Sequence, residues 1–165
     1  MQQASESTSP SSAHSIPEGY HSVTPHLVCA GAAQAIAFYT QAFGAVELGR
    51  MSMPDGRIAH AEIRIGDARI MLADHFPEYG SRDPRALQGT PVYLHLYVPD
   101  ADAAWDQALA AGATPIMPLA DAFWGDRYGQ VEDPFGHRWS IATRQREVSI
   151  DEMQQAVAAM AGGQP

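Results

Sequence analysis

The chain has 165 residues, 45% of them hydrophobic, which is enough apolar material for one globular domain with a core. No run approaches the roughly 18 apolar residues of a membrane-spanning helix, so we expect no membrane partner. The net charge of −9, without any basic stripe, argues against a nucleic-acid partner.

The N-terminal residues 1–15 are rich in Ser, Gln and Ala, and they lack the basic and apolar regions of a signal peptide. We expect a disordered tail there. The single Cys29 excludes an internal disulfide framework and suits a reducing compartment, so we expect a cytoplasmic location. Alternation puts this thiol on the face of its strand that the next helix covers, which predicts a buried and inert side chain.

The first half of the chain has the pattern of one strand, one helix and three further strands. Residues 23–29 read as the first strand, residues 32–43 have apolar side chains at helical spacing, and Gly44 ends that helix. The other strands are predicted over residues 46–53, 57–65 and 68–73. Alternation in the third strand places Ile58, His60 and Glu62 on one face.

The second half repeats this pattern. In the strand 92–98, the side chains of Tyr93, His95 and Tyr97 alternate with apolar ones, and a capped helix follows from Asp100 to Gly112. The segment 123–129 is dense in large polar and aromatic groups, and a tight turn at 133–137 leads into the strand 138–142. A capping box at Ser149 predicts a last helix from Ile150 to about Met160.

A shift of 69 positions lays His26 on His95, and the helices and glycine turns then follow in the same order. We therefore interpret the chain as an internal duplication, with repeats over 20–75 and 90–143 and a linker over 76–89. Both repeats belong to one predicted domain, residues 16–145, and a helix and tail fill residues 146–165.

Several motifs resemble the vicinal oxygen chelate superfamily, which includes glyoxalase I, bleomycin and fosfomycin resistance proteins and extradiol dioxygenases. They are Phe38-Tyr39 in the first helix, Asp133-Pro134-Phe135-Gly136-His137 before the last strand, and the segments 60–66, 95–97 and 123–129. The last three are similar to an uncharacterised glyoxalase-like branch. The resemblance implies an α+β fold in which two βαβββ modules form curled sheets around one cavity. It also implies a homodimer and a small-molecule ligand.

The resemblance also points to four positions at which metal-dependent members carry ligands. Here they are occupied by Thr24, Ile70, Tyr93 and Ser140, none of which is an imidazole or carboxylate ligand. We therefore expect no cofactor at the usual site. A displaced site for a divalent ion (Zn, Fe, Mn or Ni) stays open as an alternative. It would use the side chains of His26, His60, Glu62 and His95.

Independently of metal, polar and aromatic side chains are expected to line the cavity. They are His60, Tyr93, His95, Tyr97, Trp124, Arg127, Tyr128 and Arg138. Aromatic rings give flat apolar contact, and we expect the guanidinium of Arg127 to face the cavity and bind a ligand oxygen. Internally hydrogen-bonded histidines without a ligand are the plainer interpretation of the same faces.

Two function classes follow. The first is a protein that binds a small organic molecule in the cavity without the usual metal site. The second is an enzyme, either a metal-dependent lyase, isomerase or dioxygenase at the displaced site, or a metal-free one with Glu62 or His95 as general base. A purely structural interaction module is a third possibility.

Overall fold

The computed structural model describes residues 15–162, so the predicted tail over 1–15 lies outside the described residues except for Ser15. The elements follow the predicted order. They are β1 (His26–Cys29), α1 (Ala32–Phe43), β2 (Val46–Ser52), β3 (Ile58–Ile65), β4 (Ala68–Asp74), β5 (Tyr93–Tyr97), α2 (Ala101–Ala111), β6 (Thr114–Asp121), β7 (Asp126–Glu132), β8 (Arg138–Arg144) and α3 (Ile150–Gly162).

The eight strands form two separate four-stranded sheets with the same topology. The first sheet has the order β1-β4-β3-β2 and the second β5-β8-β7-β6. In each sheet the first and last strands of the module are parallel neighbours, and the remaining pairs are antiparallel. The register places His26 beside Met71 and His95 beside Ser140. This confirms the predicted α+β fold of two βαβββ modules.

Local sequence explains where the first two helices begin and end. The Asp100 carboxylate accepts a hydrogen bond from the backbone N–H of Ala103 at 3.0 Å, which caps the start of α2. Gly44 and Gly112 end α1 and α2 in the left-handed region, with φ of 65° and 113°. A side chain would strain the backbone there, whereas glycine allows it. No helix in residues 15–162 is long and apolar enough to cross a membrane.

The core lies between the two sheets, with both helices inside it. Helices α1 and α2 contact each other, and each also packs on its own sheet. The rings of Tyr39 and Phe43 from α1 reach across to Trp139 of β8, with centroids 5.4 and 4.6 Å away. Each sheet therefore has a helix-covered face and a second face, here called its open face, that is turned away from the helices. Among residues 15–162, the two open faces do not enclose a common cavity.

A buried carboxylate connects the modules. Asp133, in the turn before β8, accepts hydrogen bonds from the Tyr39 hydroxyl at 2.7 Å and from the Trp139 indole N–H at 3.0 Å. Burial by itself raises the pKa of a carboxyl, but hydrogen bonds from His137, Tyr39 and Trp139 lower the pKa of Asp133 below its usual value. The charged form is thereby held in the core, where it fixes α1 against the second module.

One predicted face in β3 is wrong. Ile58 was expected beside His60 and Glu62, yet its side chain is almost fully buried in the core. The pairing with β2 shifts by one residue between Met51 and Ser52, so that Ser52 pairs with Ile58 while Met51 pairs with His60. This irregularity interrupts the alternation, which returns Ile58 to the helix-covered side.

Candidate functional site

The open face of the second sheet presents an aromatic cluster. Strand β5 contributes His95 and Tyr97, whose ring centroids are 4.5 Å apart, and β7 contributes Tyr128, which stacks on His95 at 5.9 Å. Trp124, in the turn before β7, meets Tyr128 edge-on at 5.0 Å. Tyr97 is 58% exposed, so the cluster offers flat apolar surface instead of being consumed by packing.

Hydrogen bonds hold the rings of this cluster in place. The carboxylate of Asp126 is buried and accepts from the Tyr97 hydroxyl at 2.9 Å and from the Trp124 indole N–H at 3.1 Å. The hydrogen bond to Asp126, followed by burial, raises the pKa of Tyr97, so this hydroxyl stays protonated. The Tyr128 hydroxyl lies 3.0 Å from the Ser140 hydroxyl and accepts from the Gln130 amide at 2.7 Å.

The open face of the first sheet is more polar. The rings of His26 and His60 meet edge-on with centroids 6.0 Å apart, and the His60 Nε2 lies 3.4 Å from a carboxylate oxygen of Glu62. Burial, and then the neighbouring His60, lowers the pKa of His26, so a neutral imidazole is favoured. This face therefore combines two imidazoles in ring contact with one carboxylate that lies within hydrogen-bonding distance of His60.

The segment that precedes β1 lies across part of this first open face. The guanidinium of Arg69 lies over the Tyr20 ring, 4.6 Å from its centroid, and also reaches the Glu62 carboxylate at 3.4 Å. A hollow of about 410 Å³ lies beside this contact, lined among others by Tyr20, Thr24, Glu62 and Met71. The segment before β1 thus forms one wall of a small recess.

The four positions implied for a metal do not form a metal site. The alignment that placed Ile70 there is wrong, because this side chain is buried in the core and the next residue, Met71, belongs to the open face. Tyr93 and Ser140 lie on the open face of the other sheet. With Thr24, none of these side chains is an imidazole or a carboxylate. The residues present do not fit the metal ion of metal-dependent relatives.

The displaced set is divided between the sheets. His26, His60 and Glu62 share the first open face, whereas His95 lies on the second, and the two open faces point apart within the chain. In the part of the chain that the structure describes, no group of three or more His, Cys, Asp or Glu side chains is arranged to hold a metal ion. Among the described residues, the three imidazoles of the displaced set therefore do not meet at one point.

Arg127 is the other correction. Its guanidinium donates to the carboxylate of Asp102 on α2, with a shortest distance of 2.8 Å, and it pairs with Asp121 at 3.3 Å. Neighbouring strand residues point to opposite faces, so Arg127 and Tyr128 cannot share the open face. Asp102 belongs to α2 and Asp121 to the end of β6. Together these carboxylates hold the Arg127 guanidinium on the helix-covered side of the sheet, away from the expected cavity.

The structure brings together the other predicted lining residues of the second module. Tyr93 and Arg138 are linked by a hydrogen bond of 2.9 Å at one end of the aromatic cluster. Sequence reasoning missed Tyr20 and Arg69 as part of the first open face. A signal for Arg69 was available, since it precedes Arg138 by the same 69 positions that separate the two repeats.

Paired βαβββ modules, each with a polar or aromatic open face, define the class of two-module α+β proteins. Within this class, the chain belongs to the Glyoxalase/Bleomycin resistance protein/Dioxygenase superfamily, which it matches over residues 20–141. An uncharacterised protein of Mycobacterium bovis is 50% identical over 144 residues, which cover 86% of this chain and 95% of that protein.

Solved structures of the same kind also match. The chain is 27% identical to TioX from Micromonospora sp. ML1, with a TM-score of 0.60 over 74% of this chain and 97% of that one. A gene product of Arabidopsis thaliana is also 27% identical, with a TM-score of 0.60 over 74% of this chain and 98% of that one.

Proposed function

We propose that this protein binds a small organic molecule against the aromatic cluster of the second open face, without the metal of the metal-dependent relatives. The observation that carries the proposal is the cluster of Tyr97, His95, Tyr128 and Trp124, held by the buried Asp126 and still open to solvent. Rings fixed in this way lose little freedom when a planar ligand stacks on them. Cytoplasmic location is part of the proposal, in keeping with the single buried Cys29.

The proposal includes a homodimer. Because the two open faces point away from the shared helical core, a ligand on either face of one chain stays exposed on one side. A second copy that lays its first open face over the second open face of its partner would close the cavity, as ligand sites require. The outer strands β2 and β6 present exposed apolar side chains for such a contact, including Leu48, Met51, Ile116 and Met117.

The test combines oligomeric state with ligand binding. Light scattering after size-exclusion chromatography should give twice the chain mass, and a thermal-shift screen of planar organic molecules should find stabilising ligands. Tyr97→Ala should weaken such a ligand about tenfold, because the loss of an aromatic ring on which a planar group stacks costs about 1–3 kcal/mol. Tyr79→Ala, on an 81% exposed side chain away from the site, is the matched control. The proposal would be refuted if the protein were a monomer and Tyr97→Ala left the affinity for its ligands unchanged.

A metal-dependent lyase, isomerase or dioxygenase is the second candidate, and the contact between His26, His60 and Glu62 is what favours it. His95 would join them only from a second copy. Elemental mass spectrometry of protein purified without chelator or histidine tag should then show a near-stoichiometric transition metal. The double variant His60→Ala, His95→Ala should lose that metal. If neither the wild type nor the double variant contains metal, only the binding proposal remains.

A further inference from the structure

The two modules carry matching clusters of one tyrosine, one arginine and one glutamate. On the first sheet, Arg69 lies over Tyr20 and near Glu62. On the second sheet, the Arg138 guanidinium lies 5.7 Å from the centroid of Tyr93 and 3.5 Å from Glu132. The strand register makes the two arginines equivalent. Arg69 of β4 pairs with Arg64 of β3, and at the corresponding place in the second sheet Arg138 of β8 pairs with Glu132 of β7. The duplication therefore places one guanidinium at the same place on each open face.

These two guanidinium groups are less fully paired than that of Arg127. Arg127 donates three hydrogen bonds to Asp102 and a fourth to Asp121. In contrast, Arg69 makes one long contact with Glu62 at 3.4 Å, and Arg138 donates to the Tyr93 hydroxyl and lies 3.5 Å from Glu132. Their side chains are 28% and 34% exposed, so both groups are partly withdrawn from water while several donors remain free among residues 15–162.

Unsatisfied buried atoms mark the same two clusters. In the described residues, the buried side-chain polar atoms without a hydrogen-bond partner are the Tyr20 hydroxyl and the Nε of Arg138. The Tyr20 hydroxyl lies near the Glu62 carboxylate but not in hydrogen-bond geometry, and burial, helped by Glu62, raises its pKa. Buried polar groups are nearly always satisfied in native proteins, and exceptions point to a missing ligand or water. The Arg138 Nε lies 3.5 Å from a Glu132 carboxylate oxygen, also outside hydrogen-bond geometry, so each cluster contains one buried polar atom that its neighbouring glutamate does not satisfy.

The register also relates the arginines to the positions where metal-dependent relatives carry ligands. Tyr93 pairs directly with Arg138, and the same parallel register, extended two residues before His26 and Met71, puts Thr24 beside Arg69. A metal ion at those positions would bind substrate oxygens by its positive charge. Here the neighbouring positive charges are guanidinium groups, whose fork of N–H donors suits carboxylate and other oxyanions.

We propose that Arg69 and Arg138 bind the anionic group of the ligand, and that the ligand is therefore a planar organic anion such as an aromatic carboxylate or sulfonate. This inference deepens the proposed function and rests on it. The rings of the second open face hold the planar part, and the guanidinium groups hold the charge. If a second copy closes the cavity, Arg69 of one chain and Arg138 of the other line the same space.

The experiment compares two dyes with the same aromatic frame. Anilinonaphthalene sulfonate carries an anionic group, and phenylnaphthylamine lacks it. We expect the wild-type protein to bind the sulfonate dye at least about tenfold more tightly than the neutral dye. Either Arg138→Gln or Arg69→Gln should lower the affinity for the sulfonate dye about tenfold, or about 1.4 kcal/mol, with little effect on the affinity for the neutral dye. Binding of the sulfonate should also weaken as salt increases.

Two further variants keep the test decisive. Arg127→Gln removes an arginine that is paired on the helix side and should leave both dyes unchanged. Arg138→Lys keeps the charge without the fork and should recover part of the affinity, which separates ligand contact from a loss of folding. The inference is overturned if the sulfonate does not bind, or binds Arg69→Gln and Arg138→Gln like the wild type. If the neutral dye binds and Tyr97→Ala abolishes its binding, the proposed cavity is still supported. Failure of the anion inference can therefore be distinguished from failure of the proposed function.

Discussion

The hydrogen bond between Tyr39 and Asp133 should contribute measurably to stability, because it joins the two modules. The bond is 2.7 Å long, it ends on a carboxylate that is almost fully buried, and hydrogen bonds to charged groups contribute about 1.5–3 kcal/mol. Tyr39→Phe removes the hydroxyl but keeps the ring that packs on Trp139, so we expect a loss in this range. Asp133→Asn should cost more, about 3–4 kcal/mol, since one carboxylate oxygen accepts from Tyr39 and Trp139 and the other from the backbone N–H groups of Phe135 and His137, and the amide NH2 can accept from neither pair.

Urea unfolding at fixed protein concentration measures both effects. With a slope of about 2 kcal/mol per molar urea, Tyr39→Phe should lower the midpoint by roughly 1 M. Tyr79→Phe, on an exposed ring, is the control and should leave the midpoint unchanged. If Tyr39→Phe unfolds within about 0.5 kcal/mol of this control, the bond does not join the modules as argued.

The same carboxylate should make stability depend on pH. The folded state lowers the pKa of Asp133, so its contribution is present above the unfolded value of about 4 and is lost as pH falls through the folded pKa. Asp133→Asn lacks this group and should show a shallower loss of stability below about pH 4. An acid profile that is equally steep in wild type and variant would contradict the assignment.

Three further predictions concern ionisable groups. The fold lowers the pKa of His26, so its contribution to stability should be fully present above the unfolded pKa of about 6.5 and should be lost as the pH falls below that value. Urea unfolding across that pH range should show a smaller loss of stability in His26→Gln than in the wild type. Identical pH profiles would refute this prediction. Burial above all raises the pKa of the Cys29 thiol far beyond its usual range, so an aromatic disulfide reagent should label the protein only after unfolding. Rapid labelling of the native protein would contradict a buried thiol. The pKa of Tyr97 is raised chiefly by its hydrogen bond to Asp126, so Asp126→Asn should lower it in a titration followed by NMR, and an unchanged value would mean that the bond is absent in solution.

The sequence by itself determined the elements and their duplication. The helix bounds at Ala32, Phe43 and Gly112 follow from apolar spacing and from glycine at left-handed positions, which are local properties of the chain. Alternation likewise assigned Tyr93, His95 and Tyr97 to one face of β5. The same rule, applied to β7, would have separated Arg127 from Tyr128, because neighbouring residues of a strand point to opposite sides.

Tertiary structure decided what each face meets. The irregular pairing with β2 returned Ile58 to the core, and the acidic groups of α2 and β6 drew Arg127 to the helix side. Contacts between α1 and α2, fixed by the buried Asp133, turned the two open faces away from each other. Alternation depends on one strand at a time, whereas the relative placement of two modules depends on contacts between residues far apart in the chain. That is why the faces of single strands were largely predictable and the relative placement of the two modules was not.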